Sequence, residues 1–249
     1  MTYLSLVSLS LLILVQMLIG RMHFLEQESW RSVGAGVAIS YVFLDILPHL
    51  ASKQNALQDT VGTAFLTFLA HHAYLLALAG FVLYFCLARV ARTSRTGQGV
   101  LSEKPHSAVY VFALALAGYC FLIGYLIGEQ PDHLYEPVII FTFAMTVHLA
   151  GVGHTVRDHY PRFYDRIHRY VCAGAALAGW LLGIVTTVPD VIFAVVFSFL
   201  VGVIMIVAFM YELPVVMRGG NYWLFVAGAT SFSAMLLIYE ALAEVDLSG

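Results

Sequence analysis

Charge is what this chain lacks most. Only 11% of its 249 residues are Asp, Glu, Lys or Arg, where a soluble domain carries about a quarter. No polar, charged stretch is long enough to build a soluble domain of its own, and a net charge of −3 makes no case for nucleic acid as a partner. Cysteine is scarce as well. Cys86, Cys120 and Cys172 lie in three different apolar segments with no CxxC spacing, which excludes a disulfide framework or a zinc ribbon and leaves three small buried apolar residues. Residues 3–20 have neither a basic leading region nor an A-x-A cleavage site, so they read as a retained first helix rather than a removed signal.

Apolar residues fill the sequence instead. Hydrophobic types make up 61% of the chain, with a mean hydropathy of +0.86. This composition belongs to an all-α integral membrane protein, expected as one transmembrane domain over residues 1–249. A spanning helix needs about 20 mostly apolar residues. Eight segments qualify or come close: 3–20, 33–51, 61–88, 107–128, 137–155, 170–187, 190–213 and 222–243. Pro189 in "TVPD" makes a short turn between the sixth and seventh.

Lys and Arg are distributed unevenly over the connections. Arg21 and Arg31 fall in connection 21–32, and Arg89, Arg92, Arg95 and Lys104 in 89–106. Arg157, Arg162, Arg166 and Arg169 fall in 156–169, and Arg218 in 214–221; Lys53 alone lies in a connection of the other set. Basic loops stay in the cytoplasm, so an even helix count with both termini outside is expected, in a plasma or inner membrane. The stretch 89–106 reads as a cytoplasmic loop. "HTVRDHYPRFYDRIHRY" reads as an interfacial anchor with Tyr and Arg at head-group level.

Two of the apolar segments repeat a pattern. "YVFLDILPHL" (41–50) and "VAFMYELPVV" (207–216) align without a gap, pairing Phe43 with Phe209, Asp45 with Tyr211, Leu47 with Leu213 and Pro48 with Pro214. The topology runs these two segments in opposite directions. A motif shared by oppositely directed helices points to an inverted 3+2+3 repeat, with halves at about 1–88 and 170–249 and middle helices at 107–155, an arrangement found in secondary transporters.

Polar side chains inside the spans are the candidates for function, because ionisable groups are costly there. Asp45 and His49 sit at i and i+4 on one helix face, as a ligand pair or as a neutralising hydrogen bond. His148 lies near the middle of segment five, where it can serve as a metal ligand, a proton relay or a link between helices. His154 lies on a different face. His71 and His72 are adjacent and read as contacts between helices. Gly118, Gly124 and Gly128 in segment four form a small-residue pattern that lets helices approach closely.

These residues resemble the ZIP (Zrt/Irt-like) divalent-metal transporters over nearly the whole length. "GAGVAISYVFLDILPHLA" looks like the family's second helix, "ALAGYCFLIGYLIGEQ" like its fourth, "AALAGWLLG" like its sixth and "SFLVGVIMIVAFMYELP" like its seventh. The family has eight helices, outside termini and a basic third connection. Placing Gly124 and Gly128 on the family's two glycines puts Tyr119 at its metal-binding His, Cys120 at its Asn and Ile123 at its Asp. In helix five only His148 survives. In helix two Asp45 and His49 take the family's His and Glu places.

The resemblance implies an elevator-type carrier in which helices 1, 4, 5 and 6 move as one block. It implies divalent metal (zinc or similar) as cargo, and an eroded metal site drawn from His148, Asp45, His49, Cys120 and Tyr119. The expected partners are the lipid bilayer, a divalent metal ion and a second copy of the chain as a homodimer. Three other functions compete with transport. The first is a non-transporting relative of the same fold. The second is an intramembrane metal-dependent hydrolase recruiting Ser40, Asp45, His49, His71, His72 and His148. The third is a haem-binding electron carrier on His72 and His148.

Overall fold

The structure, a computed structural model, describes residues 2–19, 28–56, 72–96, 107–129, 138–186 and 190–248. Among them every regular element is helical: α1 (Thr2–Leu18), α2 (Glu28–Tyr41), α3 (Leu47–Ala56), α4 (Ala73–Thr96), α5 (Ser107–Glu129), α6 (Val138–His159), α7 (Pro161–Phe163), α8 (Arg169–Val185), α9 (Asp190–Val207), α10 (Leu213–Arg218) and α11 (Tyr222–Ser248). Three wide π-helical turns, Val42–Ile46, Tyr164–His168 and Ala208–Glu212, join α2 to α3, α7 to α8 and α9 to α10 into continuous rods.

Six helical stretches are long and apolar enough to cross a membrane: Ser29–Ser52, Ala73–Val90, Val138–Asp158, Pro161–Val185, Ile192–Glu212 and Tyr222–Leu242. Tyr3–Leu18 and Ala113–Glu129 are shorter apolar helices. The all-α, multi-pass character read from composition is therefore present.

The boundaries differ in a consistent way: charged ends that were expected as loop are helical. The α4 helix runs on through Arg89, Arg92 and Arg95 to Thr96. Residues 156–169 form the end of α6, α7 and a π turn, interrupted only where Tyr160 (φ −139°, ψ 64°) leaves helical geometry before Pro161. Arginine is a good helix former, and its long stem reaches head-group level without unwinding the backbone. Residues 61–71, 97–106 and 187–189, which include His71, Lys104 and Pro189, lie outside the described residues.

Two of the π turns have a cause in the sequence. Proline lacks an amide hydrogen, and its ring collides with the carbonyl four residues earlier. Pro48 and Pro214 would meet the carbonyls of Leu44 and Met210. Each rod widens just ahead of its Leu-Pro pair instead, so that Leu47 N–H reaches Val42 O and Leu213 N–H reaches Ala208 O.

Glycines decide which rods pack most closely. An added Cβ on Gly124 or Gly128 of α5 would strike the backbone of Ala176 or Trp180 on α8, and one on Gly179 or Gly183 would strike Phe121 or Tyr125 in return. The same device joins α2 to α11 and α4 to α9. Gly36 lies against the backbone of Phe225 and Ala229, and Gly228 against Val33. Gly202 lies against Ala77 and Phe81, and Gly80 against Phe199. The gapless alignment that pairs Pro48 with Pro214 also pairs Val33 with Phe199 and Gly36 with Gly202. A second gapless alignment pairs Ala77 with Phe225, Gly80 with Gly228 and Phe81 with Ala229. Every glycine contact in one helix pair thus has its counterpart in the other.

The remaining rods close around α6. In the spans of α6 and α9, 72% and 67% of residues are buried, against 17% for α11, which makes the first two central and the last peripheral. At one end, Arg31 Nη1 lies 3.1 Å from Asp158 Oδ2, and Arg31 Nη2 donates to Thr155 Oγ1. Asn221 N–H donates to Ser32 Oγ at the same end. Residues from three of the basic connections, 21–32, 156–169 and 214–221, or from the helix ends beside them, thereby meet on one side of the bundle.

Candidate functional site

The five residues singled out from the sequence separate into three places. Asp45 and His49 form a pair within one rod. Asp45 lies on the π turn and His49 one turn later, with Nδ1 of His49 2.9 Å from both Oδ1 and the backbone oxygen of Asp45. Both oxygens accept when the carboxylate is ionised, so Nδ1 carries the hydrogen. The neutralising bond anticipated from the i,i+4 spacing is present.

Cys120, next to Tyr119 in sequence, lies on a different side of α5. It borders a small internal cavity with Gln16, Tyr164, His168 and Cys172.

Tyr119 and His148 do meet. The two rings stand edge to face with centroids 5.9 Å apart, and the Tyr119 hydroxyl donates to Met145 Sδ at 3.9 Å. The stronger contact of His148 is to a residue the sequence reasoning passed over. His148 Nδ1 lies 2.6 Å from Oε1 of Glu212, with the two side chains only 1% and 4% exposed. At this distance the hydrogen bond is shorter than the usual N–H···O range. It joins the middle of α6 to the π turn after α9, and so links the two most enclosed helices.

Local sequence explains why the bond can form. The π turn at Ala208–Glu212 places Glu212 inward, buried beside Tyr211 and Ala208. Gly151, one turn beyond His148, faces the carboxylate: a Cβ there would stand 3.4 Å from Oε1, in ordinary contact. Gly153 clears space on another side of α6, where a Cβ would collide with Ile19 Cδ1 and the Tyr164 hydroxyl.

The pair is not saturated. His148 Nε2 and Glu212 Oε2 are buried and have no hydrogen-bond partner. Buried polar atoms in native structures are almost always bonded to protein, water or an ion, so each of the two residues presents one unused ligand atom. An imidazole nitrogen and a carboxylate oxygen are the donors that zinc and similar cations take. Among the described residues, no three side chains of His, Cys, Asp or Glu come together to hold a metal. The expected constellation of His148, Asp45, His49 and Cys120 is therefore not one site. Ser40 bonds its own helix at Val37 O, and His72 is exposed while His148 is buried.

No family model, curated protein or solved structure matches the chain. The likeness to the ZIP transporters rests on the residues quoted for it above.

The sequence signal for Glu212 was available but misdirected. "VAFMYELPVV" contains a lone acid in an apolar run, which is costly in a membrane. The repeat alignment set Tyr211 opposite Asp45 and drew attention one position away.

Proposed function

We propose that this chain is a ZIP-like membrane carrier for a divalent cation, with His148 and Glu212 as the residues that engage it. The observation that carries this reading is the buried imidazole–carboxylate pair with one unused ligand atom on each partner. Eight rods arranged as an inverted 3+2+3 repeat, with both termini outside, are part of the same proposal. It is supported by the matched π turns ahead of Pro48 and Pro214, and by the two glycine-packed helix pairs that share both alignments.

The mechanism follows from where the pair stands. Taking α1, α5, α6 and the α7–α8 rod as one block, His148 belongs to that block and Glu212 to the remainder. In the empty carrier the 2.6 Å bond ties the two parts together. A cation that enters between them binds the imidazole nitrogen and the carboxylate oxygens, replaces the direct bond and neutralises the buried charge. The block then moves without leaving a bare carboxylate in a low-dielectric interior, which would cost several kcal/mol. Two protein ligands leave coordination positions open, so the cation keeps part of its water shell and is held weakly enough to leave.

Uptake of zinc, then cadmium, iron and manganese, into proteoliposomes is the test. Wild type should load at least one of them, and His148→Ala and Glu212→Gln should each abolish loading. Uptake that survives both substitutions, or folded wild type that loads none of the four, overturns the proposal.

A further inference from the structure

Cys120 and Cys172 are not the isolated apolar residues that their spacing implies. Both are buried, at 1% and 3% exposure, while Cys86 is exposed on the outer face of α4. Each stands one turn before a residue of the close backbone contact between α5 and α8, Gly124 against Ala176. The two cysteines line the same small cavity, and each has a polar neighbour. Gln16 Nε2 lies 3.8 Å from Cys120 Sγ, and His168 Nε2 lies 3.5 Å from Cys172 Sγ. Gln16 of α1 thus flanks Cys120 of α5, and His168 flanks Cys172 within the α7–α8 rod. The small cavity described above opens onto both sulfurs. The third π turn delivers His168 there, with its Nδ1 buried and without a hydrogen-bond partner.

We infer that Cys120 and Cys172 are a peroxide-oxidisable dithiol, with Cys172 as the attacking sulfur and His168 as its base. The thiolate is the nucleophile, and an imidazole within hydrogen-bond reach is the usual means of producing it. His168 Nε2 takes the Cys172 proton. The thiolate then attacks one oxygen of hydrogen peroxide, so an S–O bond forms and the O–O bond breaks. The departing hydroxide takes the proton held on His168 and leaves as water. The Cys120 sulfur next displaces the hydroxyl from the Cys172 sulfenic acid: the S–S bond forms, the S–O bond breaks, and the Cys120 proton departs with the hydroxyl as a second water. The two sulfurs together lose two electrons and the peroxide oxygens gain them. Hydrogen peroxide is small and uncharged, the kind of oxidant that reaches buried sulfurs where a bulky disulfide oxidant does not. Bridging requires the two Cα atoms to stand within about 7 Å, a demand met most readily beside a glycine-mediated helix contact. The product locks α5 to α8.

The test uses the full chain in lipid nanodiscs with Cys86→Ser in place, so that cross-linking between molecules is removed. After mild hydrogen peroxide the protein is denatured and treated with a maleimide-polyethylene glycol, and its intact mass is recorded in parallel. Both remaining thiols should become unreactive together, with a mass loss of two hydrogen atoms and full recovery on addition of a dithiol reductant. Replacing His168 with Gln should slow the loss at least tenfold at neutral pH and shift its midpoint toward alkaline pH. Thiols that stay reactive, or a mass gain of oxygen without bridging, overturns the inference. An unchanged rate in the His168 variant overturns the assignment of the base. The readout is independent of transport, so its failure and that of the carrier proposal are separable.

Discussion

The contact between His148 and Glu212 makes opposite demands on the two side chains. Removing the imidazole leaves the buried carboxyl group without its hydrogen-bond partner and costs about 1–3 kcal/mol. Substitution by an amide keeps the hydrogen-bond acceptor and removes only the charge. His148→Ala should therefore lower the unfolding midpoint of the detergent-solubilised protein markedly. Glu212→Gln should stay within about 1 kcal/mol of wild type, the worth of an ordinary hydrogen bond, while losing cation uptake. A Glu212→Gln protein as destabilised as His148→Ala would mean that the charge holds the fold rather than the cargo. Some of this was legible in the sequence: a lone intramembrane histidine marks itself by its desolvation cost, and Asp45 with His49 by helical spacing. Glu212 was not, because its partner lies 64 positions away and only the packing of α6 against the turn after α9 brings them together. Cys120 and Cys172 are buried as read and Cys86 is exposed, but that the first two line one cavity was hidden for the same reason. Spacing along one helix says nothing about residues that two helices bring to one cavity.

At the scale of the element, the π turns decide where the inward side chains point. A π turn holds one residue more than the α-turn it replaces, and each residue of an α-helix advances about 100°. Restoring regular helix before α10 would rotate Glu212 away from α6. With alanine at position 214 the amide hydrogen returns and the ring collision disappears, so the reason for the wide turn is gone. Pro214→Ala should keep the protein folded, break the contact to His148 and reduce uptake to the level of Glu212→Gln. A wild-type uptake rate in that variant would show that the turn survives without proline. The rods themselves were readable from apolar length, and Leu-Pro flagged two of the three interruptions. The third, at Tyr164–His168, has no proline inside it or just beyond it, and the charged sequence around it resembled a loop. Segment ends failed where arginines continued a helix beyond the apolar stretch that defined it.

At the scale of the whole molecule, the end that gathers the basic connections is fastened by Arg31 to Asp158 and Thr155, from α2 to α6. With side-chain exposures of 18% and 53% this ion pair is well solvated, and pairs of that kind contribute about 0–1 kcal/mol. Its loss should leave the unfolding midpoint nearly unchanged. It does, however, join the two parts that the carrier proposal sets in motion. Asp158→Ala should therefore alter the rate of uptake without altering stability, and the exchanged double variant Arg31→Asp with Asp158→Arg should restore the rate. Equal rates in all three proteins would show that this end does not gate movement.

The glycine contacts have a mechanical corollary. Where each helix of a pair offers a glycine to the other's backbone, a slip of one residue drives a side chain into main-chain atoms. The pairs α2–α11, α4–α9 and α5–α8 therefore behave as rails fixed in register. Sliding is left to surfaces where only side chains touch, such as the face on which Gly34 meets Val147. On the carrier proposal, the bond between His148 and Glu212 acts as a latch between the two parts. On the same proposal, an ion able to replace that bond serves as the key to this latch, while the Arg31–Asp158 pair fastens the same two parts at the end of the bundle.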